Sequence, residues 1–208
     1  MKQERLTNLS CAAFAERLAS GAPVPGGGGA SALAGALGVA LGGMVGALTV
    51  GKPRYAAAEP ELRALMERAE ALRLRLLACV EEDAAAFQPL AEAYAIPKDD
   101  PARDDVMESR LRAAAQPPLE ILDLCCEAIE LQREFARLGS ALAVSDAATG
   151  VVLCWGAMYG AAVNVKVNTS AMKDRAYADE INHHVDAQME QYWRVAERVY
   201  EDVYRRFC

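Results

Sequence analysis

The chain has 208 residues, 53% of them apolar, with a net charge of −7 and a pI near 5.0. That length suits one domain, 1–208, with a substantial core, and the acidic balance argues against nucleic acid or an anionic membrane as partner. The polar start, MKQERLTNLS, predicts no signal peptide, and six cysteines without a CxxC pair or zinc spacing predict reduced cytosolic thiols packed as small apolar residues.

Every periodic segment reads as helix, and none alternates as a strand does. Ser10 is placed to cap a short helix carrying Phe14 and Leu18, stopped by Gly21. A glycine run, Gly26 to Gly29, then leads into an uncharged Ala/Gly/Leu/Val helix over 30–50. Pro60 suits the first turn of a third helix, with Leu62, Leu65, Met66, Ala69, Leu72, Leu76 and Val80 at spacings of three and four. Pro89 is a candidate kink before an end near Ile96-Pro97. Asp100-Pro101 reads as a cap followed by a helix start, and Pro117-Pro118 as the start of a further helix through Ile121, Leu124, Ala128 and Leu131. Ser140 is a candidate cap for a second Ala/Gly-rich helix over 141–163. A last helix, 174–207, carries Ile181, Val185, Met189, Tyr192, Val199 and Val203 on one side. The expectation is an all-α bundle without a sheet, with two Ala/Gly-rich helices at its centre.

Gly38, Gly42 and Gly46 fall on one face of the first apolar helix, where a missing side chain lets another backbone approach. Gly156 and Gly160 repeat that spacing in the second, and such faces also serve as dimer interfaces. The 30–50 helix is long enough to cross a membrane. Its Ala/Gly composition gains little in hydrocarbon, however, and no basic cluster flanks its N-terminal end. Near-complete burial in a soluble bundle is the better expectation.

The glycine run resembles a nucleotide loop only superficially. A phosphate-binding loop of the Walker type needs Lys-Ser/Thr after its last glycine. Here Ala30-Ser31 follows, and the nearest lysine is Lys52. A dinucleotide fingerprint needs a preceding strand, which Gly21-Ala22-Pro23-Val24-Pro25 cannot supply. Two readings stay open: a flexible helix start, or amides at a helix N-terminus aimed at an anion or a polarised carbonyl.

Polar residues in apolar surroundings are the other candidates. Asp146, in Val144-Ser145-Asp146-Ala147-Ala148, is either a capping or bridging carboxylate or a group with a task, since an unpaired buried charge is costly. Asn164 and Asn168 point the same way, four apart, and either bind the edge of a heterocycle or tie off helix carbonyls. Asp83 follows Glu81-Glu82 and precedes Ala84-Ala85-Ala86-Phe87, where a helix turns from solvent to core. It is either part of a solvated acidic face or a half-buried carboxylate with a pKa raised towards neutrality.

Together these segments resemble the formiminotransferase-cyclodeaminase C-terminal family. The resemblance runs through Pro23 to Ser31, Met44-Val45, Leu48 to Tyr55, Asp83 to Phe87 and Ala95 to Lys98. It continues through Pro118-Leu119, Ser145-Asp146 and Ala162 to Asn168, covering nearly the whole chain in order. The fourth glycine, the Lys173 to Tyr177 segment and the total length resemble the stand-alone bacterial methenyltetrahydrofolate cyclohydrolases. Pro53-Arg54 departs from relatives that often carry lysines there.

The resemblance implies an all-helical cytoplasmic homodimer with a folate site near the subunit interface. It implies acid/base work by Asp83, and substrate binding by Gly27, Gly28, Gly29, Lys52, Tyr55, Asp146, Asn164 and Asn168. Lys52 would pair with the anionic glutamate tail. The implied reaction is hydrolysis of 5,10-methenyltetrahydrofolate to 10-formyltetrahydrofolate, with no metal and no cofactor beyond the folate. The alternative is cyclodeamination of 5-formiminotetrahydrofolate, which a fused formiminotransferase domain would have favoured. From a different class, a non-catalytic helical dimerisation or membrane module predicts no folate binding.

Overall fold

The computed structural model describes residues 5–208, so Met1 to Glu4 of the polar start lie outside the described residues. Among the described residues there are six α-helices and no strand: α1 Cys11–Leu18, α2 Gly27–Ala47, α3 Glu59–Ala93, α4 Arg103–Leu138, α5 Val144–Ala171 and α6 Arg175–Tyr204. Short 3-10 turns at Leu6–Asn8, Pro53–Ala58 and Arg205–Phe207 complete them. Ser10 caps α1 as expected, its Oγ accepting from the Ala13 amide at 3.1 Å. Asp174 caps α6 in the same way through the Tyr177 amide.

The two Ala/Gly-rich helices, α2 and α5, lie side by side and antiparallel, Gly27 beside Asn164 and Gly38 beside Gly150 and Cys154. Helix α4 backs both, α3 flanks α2, and α6 flanks α5. Only one glycine of the α2 face meets a backbone: a Cβ on Gly38 would lie 2.8 Å from the Gly150 carbonyl oxygen. Gly42 and Gly46 instead make room for large side chains, Phe135 and Gln132 at the first, Met66 and Phe135 at the second. Gln132, with no exposed surface, donates from Nε2 to the Gly38 carbonyl at 2.6 Å. Its amide crosses between the central helices because Gly42 and Gly150 both lack a side chain there.

Several boundaries differ from the sequence expectation. Helix α4 runs through Pro117-Pro118 without starting anew, because both rings are buried in the bundle and packing outweighs the lost backbone bonds. It begins at Arg103, with Asp100 Oδ1 accepting from the Ala102 amide in a turn ahead of it. Pro89 likewise lies inside α3, which ends at Ala93, short of Ile96-Pro97. Ser140 does not cap α5: its amide donates to Thr49 Oγ1 at 2.8 Å, and the helix starts at Val144. At its other end α5 reaches Ala171, so Asn164 and Asn168 are inside the helix.

Burial of 30–50 is also less complete than expected. Leu37, Met44 and Leu48 are 54%, 47% and 44% exposed in the single chain, on the side of α2 turned away from α4. Both α2 and α5 are long and apolar enough to cross a membrane, yet half of each apolar window is buried inside the bundle. The thiols divide as well. Cys79, Cys125, Cys126 and Cys154 are buried, whereas Cys11 and Cys208 are exposed. Burial pushes Cys79, Cys126 and Cys154 up to about 12, so they stay protonated and inert.

Candidate active site

Helix α2 starts one residue into the glycine run, with Gly26 as its N-cap and Gly27 to Gly29 as its first turn. That turn faces α3. The Gly29 amide donates to Asp83 Oδ2 at 2.9 Å, and a Cβ on Gly28 would lie 2.2 Å from Asp83 Oδ1. Nothing larger than hydrogen fits at Gly28 without moving the carboxylate. On the other side, a Cβ on Gly27 would lie 2.9 Å from Asn164 Nδ2. The glycines therefore bring α2 close to a carboxylate on α3 and an amide on α5 at once.

A cavity of about 260 Å³ opens there, lined by Pro23, Val24, Gly26 to Gly28, Asp83, Phe87, Ala114, Pro118, Asn164, Val167 and Asn168. Asp83 is half-buried in its wall. Burial pushes its carboxyl above the ordinary aspartate value, and the Gly29 amide pulls only partly the other way. Asn164 Nδ2 donates to the Gly160 carbonyl at 2.8 Å, and Asn168 Nδ2 to the carbonyls of Asn164 and Ala114 at 3.0 and 3.2 Å. The nitrogens thus tie off carbonyls, and both amide oxygens are left as acceptors. Among the described residues no Lys or Arg lines the cavity.

The remaining site candidates are elsewhere in the chain. Lys52 and Tyr55 follow the far end of α2, about 30 Å from its glycines at 1.5 Å per residue. Lys52 Nζ is 3.4 Å from Ser140 Oγ, and Tyr55 Oη accepts from the Ala141 amide at 3.2 Å. Asp146 belongs to the same end, in the first turn of α5, where a carboxylate favours the helix dipole. The structure joins Gly27, Gly28, Gly29, Asp83, Asn164 and Asn168, and separates Lys52, Tyr55 and Asp146 from them.

Sequence reasoning passed over Phe87, Pro118 and Val167 as cavity walls. The four-residue step from Asp83 to Phe87 was the available signal for the first. It also passed over Cys79, Glu82 and Glu120, whose ligand atoms gather within 4.8 Å of one another. Arg75 already pairs with both carboxylates, at 2.7 and 2.5 Å, so this cluster carries its own cation. His183 and His184 are exposed on α6, the second bonded to Asp123 at 2.7 Å.

The profile of the formiminotransferase-cyclodeaminase family matches residues 10–187. The chain belongs to that family. Among its relatives, the methenyltetrahydrofolate cyclohydrolase of Methylorubrum extorquens is 36% identical over 200 residues, covering 94% of this chain and 96% of that protein. The mouse formimidoyltransferase-cyclodeaminase is 26% identical over 193 residues, of which this chain spans only 36% of the length. The crystal structure of the formiminotetrahydrofolate cyclodeaminase from Thermotoga maritima superposes with a TM-score of 0.83 at 26% identity. It covers 95% of this chain and 98% of its own. The family's shared helical architecture is thus present from end to end of the matched region.

Proposed function

We propose that this member of the family hydrolyses 5,10-methenyltetrahydrofolate to 10-formyltetrahydrofolate. The observation that carries the reading is the relationship to the M. extorquens cyclohydrolase across nearly the full length of both chains. The cavity supports it: one half-buried carboxylate, two amide oxygens and two helix-start glycines, with no cation in the lining. At about 260 Å³ the cavity falls below the ~300–1,000 Å³ usual for drug-sized ligands, so it takes the bicyclic head of a folate and leaves the tail outside.

The chemistry needs a proton taken and a proton returned. The substrate is a cation whose charge is shared by N5, the bridging carbon and N10, so that carbon is electrophilic without a Lewis acid or any further cofactor. Water attacks it while the Asp83 carboxylate takes the water proton. The neutral adduct then collapses: Asp83 returns the proton to N5, the bond from carbon to N5 breaks, and the hydroxyl proton leaves for solvent. The formyl group stays on N10. A carboxyl with a raised pKa suits both halves of this exchange, and its charge favours the cationic ground state. The oxygens of Asn164 and Asn168 accept from the N–H groups of the reduced pterin, and the Gly27 and Gly28 amides face its carbonyl oxygen.

We further propose a cytoplasmic homodimer, with neither membrane nor nucleic acid as partner and one domain over 1–208. Leu37 and Met44 on α2, Leu48 just past its end, and Val152, Tyr159, Val163 and Val167 on α5 are exposed, and in the dimer we propose they make one apolar stripe that a second copy covers. A copy packed antiparallel on that stripe brings its own Lys52, Tyr55 and Asp146 towards this chain's Asp83 cavity. The lysine then meets the glutamate tail that the cavity leaves outside.

The likeness to the T. maritima protein supports a second reading, cyclodeamination, in which N10 attacks the formimino carbon and ammonia leaves. Offering the purified protein each folate in turn separates the two. Loss of methenyl absorbance without ammonia release from 5-formiminotetrahydrofolate supports hydrolysis. Faster ammonia release under matched conditions replaces it with cyclodeamination.

A further inference from the structure

Phe87 stands in the wall of the Asp83 cavity with 38% of its surface exposed. It follows Asp83 by four residues on α3, so the two side chains share a face one turn apart. A single exposed phenylalanine is ordinary on a protein surface. The company here is not: a half-buried carboxylate, two free amide oxygens and an aromatic ring, and among the described residues no cationic side chain. The lining side chains favour a cation, against the α2 amides at one edge, and among the described residues Phe87 is the one aromatic ring in the lining. The other apolar walls, Pro23, Val24, Ala114, Pro118 and Val167, offer packing without such a face.

We propose that Phe87 is a positioning and specificity residue that receives the substrate's cationic amidinium on its ring; this rests on the hydrolase reading above. The charge is present in the bound methenyl compound and leaves the bridging carbon when water adds. The ring therefore stabilises bound substrate more than the adduct, and favours the cationic substrate over the neutral 10-formyl product. Weakening it therefore raises KM, and raises kcat only by the part of that stabilisation already lost in the transition state.

The test replaces Phe87 with phenylalanines bearing one, two and three ring fluorines, which keep the shape and progressively weaken the negative face. KM for 5,10-methenyltetrahydrofolate should climb with each fluorine to a total of about 3–30-fold, while kcat holds or rises slightly. Inhibition by the neutral product should stay unchanged across the series. Phe87→Tyr should keep the wild-type KM, and Phe87→Leu should match the most fluorinated protein. A flat KM across the fluorinated series, in protein that turns over normally, overturns the role of the ring and leaves the hydrolase reading intact. Wild-type protein that leaves the methenyl absorbance unchanged sinks that reading, and this proposal with it.

Discussion

Gly28 and Asp83 are so close that a methyl group on the glycine would lie 2.2 Å from the carboxylate oxygen Oδ1. The first turn of α2 and the middle of α3 meet only because that methyl is missing. Gly28→Ala should rotate the carboxylate out of place while the fold persists, since the atom displaced is the tip of a side chain. Turnover should fall by roughly 10²-fold, the cost of about 1 Å of misplacement at a reacting group. Circular dichroism and turnover measured together check this; normal turnover would show that the carboxylate has no fixed geometry to keep.

Asp83→Asn preserves the shape and removes the proposed base. Turnover should drop by about 10²–10⁴-fold with folate binding retained. In the wild type, kcat/KM should decline towards acid through a pKa above the ordinary aspartate value of 3.8, because burial raises it. The direction follows from the role: a base must be ionised, so activity is lost as pH falls through that pKa. A pH profile without the acid limb, or a mutant of near-normal turnover, would move the base elsewhere.

The same carboxylate should cost stability at neutral pH. Its folded pKa is raised, so its favourable contribution is complete below the unfolded value and is lost as pH rises through the folded one. Asp83→Asn should then melt higher than the wild type at pH 7, and the two should converge near pH 3.5. A wild type more stable than the mutant at pH 7 would mean that the Gly29 bond outweighs burial.

Gly42 faces Phe135 Cδ2 at 2.7 Å and Gln132 Nε2 at 2.8 Å from its Cβ position. Gly42→Leu should overpack that contact by on the order of 1–3 kcal/mol. Chemical denaturation is the measurement. An unchanged midpoint would argue that α2 is not held at the centre of the bundle.

Mixing two inactive variants tests the shared site. In the proposed homodimer, Asp83→Asn and Lys52→Ala would each spoil every site in their own dimers, whereas a mixed dimer would hold one site with both residues intact. Partial recovery of activity on co-refolding supports the antiparallel dimer. No recovery, with mixed dimers present by mass, would return Lys52 to a role within its own chain.

Much of this molecule was legible in the chain alone. Ser10 caps its helix through a local hydrogen bond, and the spacing of Leu62 to Val80 needs only the helical repeat. Asp83 was recognisable because its helix passes there from acidic to apolar residues, and a local composition change is a local fact. Pro117-Pro118 and Ser140 misled because their outcome rests on partners far along the chain. The proline rings are buried in the bundle, and Ser140 answers to Thr49. Gln132 could not be picked out of α4, since its place depends on glycines in two other helices. Local periodicity therefore determined the helices, and local composition picked out Ser10 as a cap and Asp83 as a candidate. Only the packing of α2 between α3 and α5, antiparallel to α5, decided that the α2 glycines, Asp83 and Asn164 meet while Lys52 and Asp146 stay a helix length away, because such distances are set by long-range contacts that no local pattern encodes.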